Sequence, residues 1–187
     1  DIPVGECERV AHGGKISGMN EISLAKASIR KQILNLRKSG NPENQQFTAN
    51  LLAVVAETKP TRVATYLSYP SEPDTAEFIQ NLLEQGIKVL VPETLPDGLL
   101  SWHEFGSDTK VTLSAGDLLF VPALAVDMNG NRLGRGKGYF DRELENLSQV
   151  VIYAVVFDSE VLASVPVESH DKRVHGVVTQ QRIHKIN

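Results

Sequence analysis

From Ser23 to Lys38 the apolar residues Leu24, Ala27, Ile29, Ile33, Leu34 and Leu36 recur at roughly helical spacing, which predicts an amphipathic helix. Ser23 is expected to cap its N-terminus, and Ser39-Gly40-Asn41-Pro42 to stop it. A second helix is expected over Pro42 to Thr58. Next, Arg62-Val-Ala-Thr-Tyr-Leu67 reads as a strand closed by the turn formers Ser68-Tyr-Pro-Ser-Glu-Pro-Asp74. Thr75 to Gln85 reads as a helix stopped by Gly86, and Ile87 to Val91 as a short strand ended by Pro92. Strand, helix and strand with such tight punctuation form the pattern of a parallel βαβ unit. Buried strands are also expected at Leu118 to Val121 and Val150 to Val156, a weaker one at Val177 to Val178, and a helix at Asp141 to Leu147. No internal repeat, low-complexity tract or linker interrupts this order. The expected fold is a single three-layer α/β domain, its mostly parallel sheet flanked by helices, Rossmann-like but without a dinucleotide fingerprint.

Residues 1–18 break the pattern. They are rich in glycine (Gly5, Gly13, Gly14, Gly18), lack periodicity and end just before Met19. They also lack the apolar core, roughly 7–15 residues long, of a secretory signal. They read as a flexible extension or an upstream leader, with the α/β domain at 19–187.

Composition narrows the function classes. The 187 residues are 41% hydrophobic and 22% charged, and 19 basic against 23 acidic residues leave a net charge of -4. No global positive field would draw in DNA or RNA, although a local site for a small anion is compatible with this average. Apolar runs reach only nine residues, as in Leu118 to Val126, far short of the ~20 a membrane helix needs. The lone Cys7 can form neither an internal disulfide nor a multi-cysteine metal site, so a reducing, cytoplasmic setting is expected.

The densest chemistry lies in Asn131-Arg-Leu-Gly-Arg-Gly-Lys-Gly-Tyr-Phe-Asp-Arg142. Glycines at 134, 136 and 138 let backbone N–H groups approach an anion. Arg132, Arg135 and Lys137 interleave with them and can neutralise phosphate charge. The run lies between an expected strand and an expected helix, whose N-terminus would add partial positive charge. Asp141 adds a hard oxygen ligand of the kind that holds Mg²⁺. The spacing is neither a Walker A loop nor a dinucleotide fingerprint. A glycine-rich surface turn with solvated cations is the competing reading, weakened by three cations interleaved with three glycines and followed by an acid.

This run resembles the signature of the 5-formyltetrahydrofolate cyclo-ligases almost residue for residue, with Phe140 in place of a second tyrosine. Similar in order are the lead-in Val121-Pro-Ala-Leu-Ala-Val-Asp127-Met-Asn-Gly130, Lys26-x-x-x-Arg30, Leu67-Ser68 to Glu72-x-Asp74-Thr75, and Val165-Pro-Val-Glu-Ser-His-Asp171. The likeness spans about Leu24 to Thr179.

The resemblance implies closure of 5-formyltetrahydrofolate to 5,10-methenyltetrahydrofolate with cleavage of ATP to ADP and phosphate. It implies phosphoryl transfer to the formyl oxygen, then attack by N10. It places Lys26 and Arg30 at the nucleotide, together with Arg132, Leu133, Gly134, Arg135, Gly136, Lys137, Gly138, Tyr139 and Phe140 around the ATP phosphates. Arg135 and Lys137 lie closest to the transferring group and are the expected catalytic pair. Arg30, Leu67, Glu72 and the run Arg135, Gly136, Lys137, Gly138 and Tyr139 face the folate. Asp141 and Asp171 are implied Mg²⁺ ligands, so ATP and Mg²⁺ are the expected co-substrate and metal. A carboxylate at Glu72 suits the adjacent N–H donors of a pterin ring.

Tyr66 and Trp102 are candidate stacking groups, with core packing the alternative for Trp102. The histidines (His12, His103, His170, His175, His184) lack metal-ligand spacing and read as surface or capping residues. The expected partner is a reduced folate alone, with neither nucleic acid nor membrane. The protein is expected to act as a monomer, with a homodimer left open.

Two departures stand out. The segment Phe105 to Ala115 is shorter than in the family and lacks a Gly-x-x-Glu-Pro-like motif that helps to line the folate pocket, which would leave the folate side more open. Glu160 stands where many members have glutamine and is expected to add negative charge near the site. Two other functions remain open: a different ATP-dependent ligase or kinase acting on another pterin or a carboxamide, and a non-catalytic nucleotide-binding module.

Overall fold

The computed structural model describes residues 21–39, 47–169 and 171–186. The expected leader, Cys7, His12, the turn at 40–42 and His170 lie outside them. The first helix, α1 (Glu21–Lys38), already includes Ser23, so Ser23 sits within the first turn and is not the N-cap. It is followed by α2 (Phe47–Thr58) and β1 (Arg62–Ala64). Then come α3 (Ala76–Glu84), β2 (Val89–Thr94), β3 (Leu100–Glu104) and β4 (Lys110–Val111). β5 (Asp117–Pro122), β6 (Ala125–Asp127) and β7 (Arg132–Leu133) lead into α4 (Tyr139–Leu144). β8 (Val151–Val155), β9 (Val161–Leu162), β10 (Gly176–Val178) and β11 (Ile183–Lys185) complete the order.

Eight strands form one sheet in the order β11-β10-β8-β5-β1-β2-β3-β4. Its centre, β10-β8-β5-β1-β2, is parallel, and its edges are antiparallel. Central strands buried on both faces are near-continuous apolar runs. Along β5, Leu118 and Phe120 face the layer of α2 and α3, while Leu119 and Val121 face the opposite layer with Leu144 of α4 and Val126 of β6. A small sheet, β7-β6-β9, forms part of that second layer, and α1 packs on it through Ile33 against Leu124, Ala125 and Leu133. The three-layer, mostly parallel expectation therefore holds.

Several boundaries move. β1 ends at Ala64 rather than Leu67, although the Thr65 N–H still bonds the Leu90 carbonyl at 2.9 Å. The chain then leaves the sheet to carry Leu67 and Glu72 over its carboxyl end. Pro92 does not end β2 but pairs with Trp102 of β3. Pairing of β2 with β1 stops at Leu90, so on that side proline gives up no ladder donor. The expected helix over 141–147 begins at Tyr139 and spans six residues. A macrodipole from so short a helix adds little, and the charge at the motif comes from its side chains.

Connections from β1 run to β2 on one side, whereas β5 lies on the other side of β1. This reversal between β1 and β5 is a topological switch point, where α/β sheets leave a crevice at the carboxyl ends of their strands.

Candidate functional site

The crevice is built by the segments that leave β1 and β5. After β1, the turn 65–75 is held by its own polar groups. Thr75 donates its hydroxyl to the Tyr66 carbonyl at 2.8 Å, and Asp74 Oδ1 accepts the Ser68 hydroxyl at 2.8 Å and the Ala76 N–H at 3.0 Å. The Tyr66 hydroxyl donates to the Pro73 carbonyl at 2.8 Å. Burial holds its pKa well above the usual tyrosine value, with the negative charge of Glu72 adding to the effect. This scaffold presents Glu72, whose Oε2 accepts the Tyr69 N–H at 3.0 Å.

After β5, the chain turns through β6 and β7 into the glycine-rich loop, and Asp127 fixes that turn. Fully buried, it accepts N–H bonds from Asn129 and Asn131 on its own turn, from Val165 on the neighbouring segment, and from the Asn131 side chain. Burial alone would raise its pKa. The Asn131 amide and the three backbone donors outweigh it and hold the carboxyl below its ordinary value near 3.8. A carboxyl with a depressed folded pKa contributes stability above its unfolded pKa, and loses it as pH falls through the folded value. Asp127→Asn is therefore expected to lower stability at neutral pH and to flatten the fall in stability below about pH 4; urea unfolding at stepped pH would check both effects.

The loop forms a common wall for two cavities. The smaller, 260 Å³, is bordered by Lys26, Arg30, Asp141, Arg142, Glu168 and Asp171. The larger, 690 Å³, is bordered by Tyr66, Leu67, Glu72, Pro92, Leu100 and Tyr139. Arg132, Gly134, Gly136, Gly138 and Asp141 border both. The larger lies within the range of small-molecule sites.

Cations and carboxylates are interlocked throughout. Lys26, 5% exposed, reaches Asp171 at 2.6 Å and Glu168 at 2.8 Å. Burial alone would lower its pKa, and the two carboxylates raise it above the usual lysine value. Arg30 Nε donates to the Gly134 carbonyl at 2.9 Å, and its guanidinium packs against Gly136, where an added Cβ would lie 3.4 Å away. Arg132 is buried between the cavities and pairs with Asp141, and its Nε has no hydrogen-bond partner among the described residues. Arg135 Nε lies 2.9 Å from Glu72 Oε1, a bridge from the loop to the β1 turn. Lys137 stands 5.7 Å from the Tyr139 ring centroid.

The expected site residues thus converge on two adjoining cavities, with Leu67 half exposed at the rim of the larger one and Phe140 packed beneath it. Trp102 lies in the core, its Nε1–H bonded to Glu143 at 2.8 Å, and is not a stacking group at the site. Glu160 also departs from expectation: it is buried against Arg37 and adds no free charge to the cavities. His175 caps the Ile152 N–H at 3.0 Å, and no group of three His, Cys, Asp or Glu suited to a metal forms among the described residues. Glu168 and Arg142 border the site without having been assigned a role, although both stand inside motifs quoted above.

The family model of the 5-formyltetrahydrofolate cyclo-ligases matches residues 22–115 and 108–180, splitting at the segment that lacks the Gly-x-x-Glu-Pro-like motif. A 5-formyltetrahydrofolate cyclo-ligase of Mycolicibacterium smegmatis is 34% identical over 84% of this chain and 95% of its own. One of Escherichia coli K12 is 31% identical over 79% of this chain and 96% of its own. The solved structure of Aquifex aeolicus 5,10-methenyltetrahydrofolate synthetase superposes with a TM-score of 0.73, covering 87% of this chain and 93% of that one at 22% identity. That of Mycoplasma pneumoniae 5,10-methenyltetrahydrofolate synthetase gives 0.74, covering 83% and 98% at 20% identity. These two likenesses concern the fold.

Proposed function

This chain belongs to the 5-formyltetrahydrofolate cyclo-ligase family, and on that premise we propose that its two cavities divide the two substrates, with the glycine-rich loop acting on both. The protein is an ATP-dependent cyclo-ligase that converts 5-formyltetrahydrofolate to 5,10-methenyltetrahydrofolate. The observation that carries the division of roles is the shared wall: one cationic loop borders a small charged cavity and a larger, more apolar one. ATP phosphates enter the smaller cavity, and the pterin enters the larger with Glu72 accepting from its adjacent N–H donors.

In this reading the formyl oxygen attacks the γ-phosphorus and ADP departs, leaving the formyl carbon bonded to a phosphorylated oxygen. N10 then attacks that carbon, the C–O bond breaks, phosphate leaves, and the N10 proton is lost. Both nucleophiles belong to the folate, so the protein supplies position and charge. Arg135 and Lys137 are the cations nearest the transferring group. Lys26, Arg30 and Arg132 steady the phosphates, and the loop from Leu133 to Phe140 wraps them. Arg135 must leave Glu72 to meet phosphate, so a folate that takes over the Glu72 carboxylate frees the catalytic cation.

Asp141 and Asp171 fit a nucleotide-borne Mg²⁺: both are hard oxygen donors on the smaller cavity, and Mg²⁺ on phosphates takes one or two protein carboxylates. Each already balances a cation, which suits an ion arriving with ATP rather than a resident one. Mg²⁺ would neutralise phosphate charge there. We propose a monomer as the working unit. The acidic average charge argues against a nucleic-acid partner, and no helix among the described residues is long and apolar enough to cross a membrane. We place its action in the cytoplasm.

The purified chain with ATP, Mg²⁺ and 5-formyltetrahydrofolate is expected to develop the near-ultraviolet absorbance of the methenyl product. ATP binding without product would overturn the folate assignment, and loss of both would overturn the cavity assignment altogether.

A further inference from the structure

Arg142 ends the glycine-rich motif and has no part in the chemistry above. Its head is exposed yet held in place by two carbonyls and a ring. Nη2 donates to the Gly98 carbonyl at 2.7 Å and reaches the Lys137 carbonyl at 3.4 Å. The guanidinium carbon lies 5.7 Å from the centroid of the Tyr139 ring. Gly98 forms the tip of the β2–β3 hairpin: its N–H bonds the Leu95 carbonyl at 2.9 Å, and the Leu95 N–H bonds the Leu99 carbonyl at 2.9 Å.

Space around this guanidinium is kept from both sides. A Cβ at Gly98 would lie 2.6 Å from Arg142 Nη2, and one at Gly138 would lie 3.0 Å from Nη1. Both glycines have positive φ, at +80° and +71°, where side chains are strained. One belongs to the hairpin tip and the other to the phosphate loop. The same hairpin contributes Pro92, Thr94 and Leu100 to the larger cavity. Its base is tied to α4 separately, through Trp102 and the neighbouring Glu143 at 2.8 Å.

We propose that Arg142 is a positioning residue that clips the β2–β3 hairpin tip to the glycine-rich loop, fixing the width of the larger cavity between them. Nη2 alone serves both carbonyls while the guanidinium lies beside the ring, and a lysine ammonium has the donors but not the planar, stacking group to hold both contacts at once. The base tie through Trp102 survives loss of Arg142, so the expected effect is local loosening of the tip. The link to folate binding rests on the proposed assignment of the larger cavity, whereas the clip itself does not.

The test uses the full chain with Arg142→Ala, Arg142→Lys and Gly98→Ala, and the Arg142→Ala/Gly98→Ala double variant. Hydrogen exchange of the free protein reads the clip: faster exchange of the Gly98 and Leu95 amides in Arg142→Ala, with the amides of β5 unchanged, is the expected result. Unchanged exchange at the tip overturns the clip whatever the substrate proves to be. Methenyl formation reads the consequence: the KM for 5-formyltetrahydrofolate should rise roughly tenfold in Arg142→Ala, with a smaller change in the KM for ATP, whose cavity Arg142 also borders, and only partial rescue by lysine. Gly98 borders neither cavity, yet its variant displaces the same guanidinium and should reproduce the rise, and the double variant should be no worse than either single one. A rise in the KM for ATP with normal Gly98→Ala kinetics would instead make Arg142 a direct phosphate ligand and sink the positioning role. An inactive wild-type chain with a normal exchange response would count against the folate assignment and leave the clip standing.

Discussion

Arg135→Ala is expected to lower kcat for methenyl formation by roughly 10²- to 10³-fold. The reaction moves a phosphoryl group between two polyanionic partners and asks the protein for little covalent help, so lost charge stabilisation has no substitute. Arg135 is partly exposed on the larger-cavity side of the glycine-rich loop, with Nε 2.9 Å from a Glu72 carboxylate that is almost fully buried. Removing the guanidinium strips the transition state of a cation and leaves Glu72 without its partner. Glu72→Gln separates the two effects. It also breaks the pair but leaves the guanidinium free, so its cost should fall on the KM for folate with a much smaller change in kcat. Lys137→Ala should lower kcat by at least about tenfold. Steady-state kinetics with each substrate varied in turn checks these expectations. Near-normal kcat in Arg135→Ala would show that another group meets the transferring phosphoryl.

Much of the site was legible in the sequence because its chemistry is contiguous. Residues 131–142 carry the loop cations, the glycines that let them approach and the acid that follows, and no folding argument is needed to bring them together. The central strands were equally plain, since strands covered on both faces are unbroken apolar runs, as Leu118 to Val121 is. What sequence did not reveal are relations across distance. β3 was missed because Leu100-Ser-Trp-His-Glu104 is short and has only two apolar residues; their alternation with polar ones and the Pro96-Asp97-Gly98 turn ahead were the available hairpin signals. Pro92 looked like a stop because a proline costs a ladder bond only if a neighbour asks for one, and the end of β1 is visible only in three dimensions. The partners of Lys26 stand more than a hundred residues away at Glu168 and Asp171, and Arg142 finds Gly98 only once the hairpin folds. Glu160 looked like stray charge near the site until its buried partner, Arg37, came into view.

That pair carries the largest expected effect on stability. Arg37 and Glu160 meet in a fork, Nε to Oε1 and Nη2 to Oε2, each at 2.7 Å, with side chains 2% and 6% exposed. Nη2 also donates to the Ala123 carbonyl at 2.7 Å, Glu160 Oε2 accepts the Phe157 N–H at 2.9 Å, and the guanidinium lies 5.4 Å from the Phe157 ring centroid. Glu160→Ala leaves a guanidinium buried without its counter-charge, and is expected to cost about 3–5 kcal/mol. For a domain of this size that lowers Tm by roughly 2–4 °C per kcal/mol. Replacing both residues by methionine removes the unpaired charge, so the double variant should recover most of the loss. Glu160→Gln keeps an acceptor for Arg37 but turns an amide donor on one of the present donors, and should fall between. The pair also anchors the C-terminal end of α1, the helix that carries Lys26 and Arg30 to the smaller cavity. Its loss should therefore raise the KM for ATP at temperatures where the chain is still folded, before denaturation is visible. Urea unfolding of the three variants alongside ATP-dependent kinetics tests both effects, and a Glu160→Ala chain within about 1 kcal/mol of wild type would mean that water reaches Arg37 and compensates it.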